Sequence, residues 1–389
     1  MTISLARGED QGVIICLSMI LTPIHRARPS LRKWIWKPEK TKRASRRQVP
    51  LPGSGGETVR PSVVVLASRF DLTCDYVVAE LRRSCVSYLR INTEDLPHLD
   101  VLLNPIVQRL TISSEVGVFE LTQSDLTAIY FRRPVYLREY TTESRPAHEQ
   151  LVRTHWASFI RSFMIFNRCR WMNYPGATYV AEHKALQLAA AVQLGFDVPD
   201  TLVTNSMLGI EAVRSDSPLV AIKGLDTVLL RENGKETFGY TSLLEFSEIT
   251  SYNVRAAPVV VQEALCNKLD LRVTVVGDSY WCASATLNGQ GIEGDWRICG
   301  RSVIFAEYIL PEDVAQRCIA LTKHFGLLFS AIDLALHKDH YYFLEINPTG
   351  EWAWLHVSLG FPIPRAIVSA LTSKIGGQEN IEPSLSQNP

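Results

Sequence analysis

The sequence lacks several features that mark large classes of proteins. It carries no net charge, because 40 Lys and Arg balance 40 Asp and Glu, so its overall composition does not favour nucleic acid as a partner. Its eight cysteines form no C-x-x-C motif and no histidines cluster at ligand spacing, which argues against a zinc site or a disulfide framework. It has no internal repeat and no apolar run long enough to span a bilayer. We therefore expect a globular cytoplasmic protein with no nucleic-acid or membrane partner.

The even charge balance hides a basic head. Residues 1–60 hold 12 Lys and Arg against 4 Asp and Glu and are rich in Pro, Gly and Ser, so we predict a disordered extension. The apolar run VIICLSMIL within it has only nine residues, follows Glu9 and Asp10 and lacks a small-x-small cleavage site, which argues against a secretory signal. A wrongly assigned start codon would also explain the head. Basic blocks can bind nucleic acid or acidic membranes, and that alternative stays open.

The chain after the head alternates strand-like and helix-like segments. SVVVLASR predicts a buried strand, Asp71 is a candidate helix cap, and LTAIYFRRP predicts a later strand. This alternation is typical of an α/β domain. Arg132 and Arg133 follow the last strand, where α/β sheets place ligands, although a solvated loop would fit them as well. Apolar spacing then predicts a long helix over 148–169, and AEHKALQLAAAVQLG predicts a second helix that contains Lys184.

Charged residues punctuate the strand-like runs of the next third of the chain. LVAIKGLD places Lys223 at a strand end, before a hairpin with an Asn-Gly turn, and a lysine beneath such a flap suits a phosphate clamp. Any edge strand would offer the same. APVVVQEALCNKLDLRV breaks after a buried strand and then sets Asp270 and Arg272 on one face, where an exposed segment could hold an adenine and a carboxylate could hold a ribose. GDWRICGRS supplies Arg297, and arginine matches phosphate oxygens bidentately.

The segment SAIDLALHKDHYYFLEINP predicts an antiparallel hairpin on which the rest of the site is organised. We predict that Lys338 pairs with His340, so that the ladder continues until Asp333 faces Glu345. Asn347 then joins Glu345 on the same face, because strand side chains alternate. Two facing carboxylates and an amide oxygen suit a hydrated Mg²⁺ ion that bridges phosphates, whereas the plainer alternative is a hairpin with an outward polar face.

These residues, taken in order, resemble the ATP-grasp superfamily. The sharper resemblance is to its peptide maturases, which make graspetides (microviridin-type ligases) by installing ester or amide cross-links in a ribosomal precursor peptide. It is carried by SRFDLTCDYV, INTEDLP, FRRP, NYPGATYVAEHKALQLAAAVQLGFDVPDTLVTN and EINPTGEWAWLHVSLGFPI, and it covers about residues 61 to 375.

The resemblance implies ATP and Mg²⁺ as cofactors and assigns a role to each matching residue. Arg272 and Arg297 would lie along the path of the phosphate and acyl phosphate, and Asp333, Glu345 and Asn347 would hold Mg²⁺. The implied ATP-binding residues are Lys184 and Lys223 at the phosphates, Gln262, Glu263, Ala264 and Leu265 at the adenine, and Asp270 near the ribose.

We therefore predict an α+β protein with an ATP-grasp fold and an N-terminal α/β pre-ATP-grasp domain. The predicted divisions are 61–175 for the N-terminal domain, 176–258 for a central lid, 259–375 for the C-terminal domain with the hairpin, and 376–389 for a flexible tail. The expected activity is ATP-dependent activation of Asp or Glu side chains of a ribosomal precursor peptide, followed by cross-linking. A ligase that adds amino acids to another carboxylate, a kinase and a non-catalytic nucleotide-binding protein are the alternatives, and a homodimer is left open.

Overall fold

The computed structural model describes residues 58–132, 146–213, 217–225, 229–232, 235–238, 241–249 and 254–373. The predictions for most of the basic head, for Arg133, for the Asn-Gly turn at 233 and 234 and for the C-terminal tail lie outside the described residues. The described chain contains both helices and runs of consecutive strands, as expected for an α+β protein. Among these residues, no helix is both long and apolar enough to cross a membrane.

The N-terminal part contains two sheets. Its strands are β1 (Val63–Ala67), β2 (Tyr88–Asn92), β3 (Asp100–Asn104), β4 (Arg109–Ser114), β5 (Gly117–Thr122), β6 (Ala128–Phe131) and β7 (Arg170–Met172). A parallel sheet has the order β2-β1-β6-β7, and β3, β4 and β5 form a separate antiparallel sheet. Every residue of β1 is buried, because a central parallel strand is covered on both faces. This α/β arrangement carries Arg132 at the end of β6.

The N-terminal helices begin and end where local chemistry allows. Helix α1 (Leu72–Arg83) starts at Asp71, whose carboxylate accepts a hydrogen bond from the backbone N–H of Cys74 at 3.3 Å. Helix α2 (Ala147–Ser162) tightens into a 3-10 turn over Phe163–Ile165. It is therefore shorter than the predicted helix over 148–169, because Phe166 leaves helical geometry with ψ 68°.

The second predicted helix is divided in two. Helix α3 (Pro175–Ala181) is followed by α4 (Lys184–Gln193), and His183 between them is extended, with ψ 109°. The side chain of Gln187 donates to the carbonyl oxygen of Ala181 at 2.6 Å and so satisfies the end of the first piece. Lys184 consequently stands at the first turn of a helix.

The central part contains a four-stranded antiparallel sheet and a separate two-stranded sheet. Its strands are β8 (Thr201–Thr204), β9 (Leu219–Lys223), β10 (Leu229–Glu232), β11 (Lys235–Phe238), β12 (Ser242–Glu245) and β13 (Val259–Glu263), with helix α5 (Met207–Ala212) after β8. The sheet order is β12-β9-β13-β8, and β10 pairs antiparallel with β11. Strand β13, which the predicted division placed at the start of the C-terminal domain, belongs to this central sheet because it pairs with both β8 and β9.

The C-terminal part is a five-stranded antiparallel sheet with helices on both faces. Its strands are β14 (Leu269–Val276), β15 (Ser279–Leu287), β16 (Val303–Glu307), β17 (Phe329–His337) and β18 (His340–Asn347), in the order β16-β15-β14-β17-β18. Helices α4 and α6 (Glu312–His324) cover one face. Helices α7 (Ala353–Leu359) and α8 (Ile363–Thr372) cover the other, and α8 also packs against α1.

One continuous core joins the C-terminal sheet to the N-terminal sheet. It contains Val65 of β1, Ala331 of β17, Ile367 of α8 and the fully buried Trp352. Truncating a buried tryptophan to alanine costs about 3–5 kcal/mol in general, so this contact is a substantial part of the interface. The edge of the N-terminal sheet and the end of β18 are thereby held together, and the candidate site lies close to this junction.

Candidate active site

The two carboxylates of the hairpin face each other as predicted, but by a different register. Lys338 and Asp339 form a two-residue turn with φ of 49° and 65°, so His337 rather than Lys338 pairs with His340. The predicted pairing is therefore offset by one residue over the outer half of the hairpin. A β-bulge at Leu344 then corrects the offset, since Leu334 pairs with Phe343 but Asp333 pairs with Glu345.

Three cationic side chains surround this carboxylate pair. Arg272 of β14 donates from Nη1 to Oδ1 of Asp333 at 2.8 Å. Arg297 donates from Nη2 to Oε1 of Glu345 at 3.1 Å and lies 3.8 Å from Oδ2 of Asp333. Lys184 donates from Nζ to Oε2 of Glu345 at 3.0 Å. The structure thus brings together residues that are up to 161 positions apart in the chain.

The surroundings move the pKa values of the two carboxyls in opposite directions. Burial is the largest influence on both and would raise both values. At Glu345, Lys184 and Arg297 outweigh burial and hold the pKa well below its usual range. At Asp333, burial and the negative charge of Glu345 outweigh Arg272, so the pKa is raised. A further positive charge between them would relieve the repulsion.

The donor set of this site fits Mg²⁺. Nδ2 of Asn347 donates to Oε1 of Glu345 at 3.1 Å and lies 3.5 Å from Oδ2 of Asp333, so the three side chains converge. A half-turn of the amide would present its oxygen instead. Among the described residues, no cluster of three or more His, Cys, Asp and Glu side chains is placed to hold a metal ion. The candidate set here is different, because its third member is the amide of Asn347. Two carboxylates and one amide leave several coordination positions to water or phosphate, as Mg²⁺ commonly requires.

An open cleft of about 630 Å³ lies between the central and C-terminal sheets and reaches the carboxylate pair. Lys223 lines it and donates from Nζ to Oε1 of Gln262 at 2.6 Å, while Gln262 donates to the hydroxyl of Thr201 at 2.8 Å. Burial and the nearby charge of Lys184 lower the pKa of Lys223 to about 8. This lysine therefore loses its charge above about pH 8, unless an anion enters the cleft.

The predicted adenine segment lies along the same cleft. Glu263 and Leu265 line it, and Ala264 between them is buried. The backbone N–H of Glu263 already donates to the carbonyl oxygen of Asp200 at 2.8 Å, so this one group is used by the fold. The bulged Leu344 contributes an apolar wall. A flat apolar ring could lie against these side chains.

Asp270 lines the cleft, and it is paired with a lysine that the sequence analysis did not predict as its partner. Lys268 donates from Nζ to both carboxylate oxygens at 2.5 Å and to the carbonyl oxygen of Ile292 at 3.2 Å. Burial nevertheless outweighs this cation and raises the pKa of Asp270 to about 6. Lys268 lies two residues before Asp270, just before β14 begins, and this spacing was the available indication of the pair.

Two further residues, to which the sequence analysis gave no role, support the site. Asp295 accepts from the backbone N–H and from Nε of Arg297, at 3.0 and 2.9 Å, and so fixes the direction of that arginine. Asn173 at the end of β7 is buried and donates to the carbonyl oxygens of Phe329 and Pro348 at 2.8 and 2.9 Å. The N-terminal sheet therefore holds both ends of the carboxylate hairpin.

Comparison with known proteins identifies the fold. Neither a scan against family models nor a search of the curated proteins finds a match. Among solved structures, ATP-grasp ligases are similar to this chain. An ATP-grasp ligase from Chryseobacterium gregarium, solved with ADP and a leader and core peptide, has a TM-score of 0.69 and 21% identity, covering 79% of this chain and 96% of its own.

Two other structures lead to the same conclusion. The macrocyclase MdnC from Microcystis aeruginosa, bound with its precursor peptide MdnA, has a TM-score of 0.68 and 23% identity, covering 80% of this chain and 99% of its own. The ligase PsnB, solved with a precursor variant, Mg and ADP, has a TM-score of 0.63 and 20% identity, covering 82% and 98%. The chain has the ATP-grasp fold, as predicted.

Proposed function

We propose that this protein is an ATP-dependent ligase that activates Asp or Glu side chains of a ribosomal precursor peptide and cross-links them within that peptide. The observation that carries the proposal is the contact of Arg297 with both Asp333 and Glu345, at the end of a cleft that Lys223 lines. Solved structures of the same fold contain ADP and precursor peptides, which supports this substrate class. Because ATP and newly made peptides are both available there, we place the reaction in the cytoplasm.

Each residue of the cleft has a place in this proposal. ATP would lie between the central and C-terminal sheets, with its adenine along Gln262 to Leu265 and its ribose near Asp270. Lys184 and Lys223 would hold phosphate oxygens. Asp333, Glu345 and Asn347 would hold Mg²⁺, which supplies positive charge at the phosphates of ATP.

The chemistry divides into two transfers. An oxygen of the substrate carboxylate attacks the γ-phosphorus, the bond to the bridging oxygen breaks, and ADP leaves with an acyl phosphate left behind. A Ser or Thr hydroxyl, or a Lys amine, of the same peptide then attacks the acyl carbon, loses its proton and expels phosphate. Arg272 and Arg297 would stabilise the charge of the transferring group, since catalysis of this kind is mainly positioning and electrostatics.

A mass measurement tests the proposal against a kinase of the same fold. The protein, Mg-ATP and the product of a neighbouring small open reading frame that is rich in Thr and acidic residues are incubated together. A ligase removes one water mass for each cross-link, whereas a kinase leaves a stable phosphate mass on the peptide. A phosphopeptide as the end product would overturn the proposal, and a gain of one amino-acid residue mass when free amino acids are added would favour an amino-acid ligase.

A further inference from the structure

A buried arginine outside the nucleotide cleft is paired with two acids. Arg132 follows β6, and its side chain is only 4% exposed. Its Nε lies 3.4 Å from Oδ2 of Asp71, and its Nη2 lies 2.9 Å from Oε1 of Glu351. Nη1 donates to the carbonyl oxygen of Thr349. The arginine is therefore not in a solvated loop, and it joins the N-terminal sheet to the loop that follows β18.

The two acids have different surroundings. The Asp71 side chain is 4% exposed and also caps α1, so it is a permanent partner that balances the buried charge. The Glu351 side chain is 67% exposed although it touches a buried guanidinium. Its other oxygen accepts a hydrogen bond from the hydroxyl of the buried Thr73 at 2.6 Å. Because Asp71 remains beside Arg132, the Glu351 side chain could move away without leaving the buried guanidinium unpaired.

Glu351 also leaves part of the guanidinium unused. Within the described ranges, neither Nε nor Nη2 of Arg132 makes a hydrogen bond of ordinary geometry, although both lie near carboxylate oxygens. Arginine binds carboxylates best through two parallel N–H donors. Arg132 and Thr73 therefore have unused hydrogen-bonding capacity for a carboxylate that takes the place of Glu351.

The Arg132–Thr73 pair is connected to the carboxylate pair through one side chain. Arg272 donates from Nη1 to Asp333 at 2.8 Å, and its Nη2 lies 3.4 Å from the carbonyl oxygen of Glu351. The guanidinium of Arg272 thus lies between Asp333, a candidate metal ligand, and the backbone of Glu351. A carboxylate bound by Arg132 and Thr73 would lie beside the residue that we expect to meet the transferred phosphoryl group.

We propose that Arg132 and Thr73 form a subsite for the acidic side chain of the substrate that is to be phosphorylated, and that Glu351 fills this subsite in the free protein. The inference rests on the proposed function and names the substrate group that this function requires. Glu351 then acts as an internal competitor. The simpler interpretation is that Arg132 and Glu351 form only a structural link between two parts of the chain.

A subsite predicts that two substitutions change the KM for a substrate probe in opposite directions, whereas a structural link predicts the same direction for both. The probe is N-acetylglutamate α-amide, incubated with Mg-ATP and hydroxylamine, which captures an acyl phosphate as a hydroxamate and releases phosphate. Glu351→Gln should lower the KM for the probe about threefold or more, because the competing carboxylate is gone. Arg132→Gln should raise it about tenfold or more, the loss expected for a charge-assisted hydrogen bond. KM for ATP should change in neither variant.

Controls separate this effect from damage to the fold. Glu312→Gln, at an exposed acid in the first turn of α6, should leave both KM values unchanged. Thr73→Val exchanges the hydroxyl of the subsite for a methyl group. This variant is used as the test if Arg132→Gln does not fold. A purely structural link would impair the protein in the same direction for Glu351→Gln and Arg132→Gln, and that result would overturn the subsite while leaving the proposed function intact.

A binding measurement tests the subsite without turnover. Glutarate should raise the melting temperature of Glu351→Gln, but not that of the double variant Arg132→Gln/Glu351→Gln. If this shift occurs while the wild type yields neither hydroxamate nor water loss, the subsite stands and the proposed ligase function fails. If glutarate stabilises both variants equally, or neither, the subsite is overturned.

Discussion

Asp333 and Glu345 lie directly opposite each other on β17 and β18, yet the fold raises the pKa of the first carboxyl and lowers that of the second. The difference follows from their partners, since Glu345 contacts both Lys184 and Arg297 whereas Asp333 has its close contact with Arg272. Glu345 is therefore the firmly ionised member of the pair. Removing its charge should affect cation binding more directly than any other single change in the hairpin.

Glu345→Gln should leave the fold intact and reduce ATP-dependent turnover by about 100-fold or more, because even changes behind a metal ligand often cost 10–100-fold. The neutral amide cannot balance a divalent ion, and it leaves Lys184 and Arg297 without their shared partner. ADP release at several Mg²⁺ concentrations measures the loss. Asp339→Asn, in the turn of the same hairpin, is the matched control and should retain turnover, because asparagine accepts positive φ. Unchanged ADP release in Glu345→Gln would show that the hairpin is not part of the active site.

The lowered pKa of Lys223 predicts a pH dependence for ATP use. The lysine is charged below about pH 8 and neutral above it, whereas an ordinary lysine stays charged to about 10.5. A phosphate contact needs the charged form, so kcat/KM for ATP should fall above pH 8, by about tenfold per pH unit once the free enzyme is deprotonated. Lys223→Arg should remove this falling limb because arginine stays protonated. A profile that is flat from pH 7 to 10 in the wild type would contradict the role of Lys223.

The pairing of the two carboxylates could be predicted from the sequence, although the path of the hairpin could not. Alternation in two strand-like runs predicts that Asp333, Glu345 and Asn347 share a face. The turn contains Lys338 and Asp339, neither of them the usual glycine or asparagine at positive φ, and a bulge leaves no compositional mark. The offset from the turn and the shift from the bulge cancel, so the predicted pair is confirmed although its derivation was wrong in register.

Contacts between residues far apart in the sequence were the ones missed. Asn173 and Arg132 reach the loop after β18 from the N-terminal sheet, at separations of 175 and 217 residues. Neither stands in a pattern with its partners, because side-chain satisfaction across a domain junction depends on three-dimensional packing. The ATP-grasp fold was predictable because several ordered segments resembled those of one superfamily at once. The ligand role of each residue in the cleft remains a prediction.

Residues 1–56, which make up most of the basic head, should be dispensable for folding and turnover. A chain that starts at Glu57 should melt as the full chain does, because residues before it offer no periodic apolar face. The control starts at Ser62 and loses Val59, whose backbone N–H donates to Val118 and whose carbonyl oxygen accepts from Glu120, both at 2.9 Å. It should lose about 1–3 kcal/mol of unfolding free energy, the contribution of two hydrogen bonds. Urea unfolding measures both chains, and a destabilised Glu57 chain would show that the head is structural.

Gly350 should be required for the position of Arg272. A Cβ atom added at this glycine would lie 2.3 Å from Cβ of Ala331 and 2.8 Å from Nη2 of Arg272. We expect Gly350→Ala to cost about 1–3 kcal/mol by overpacking and to lower turnover, because Arg272 must move away from Asp333. The double variant Ala331→Gly/Gly350→Ala removes the closer clash, so it should recover most of the stability apart from about 1 kcal/mol for a glycine within β17. Its turnover should recover less, since the contact with Arg272 remains. Urea unfolding measures the change in stability, and ADP release measures the change in turnover. A Gly350→Ala protein with normal stability and normal turnover would show that the loop after β18 can move without disturbing the carboxylate pair.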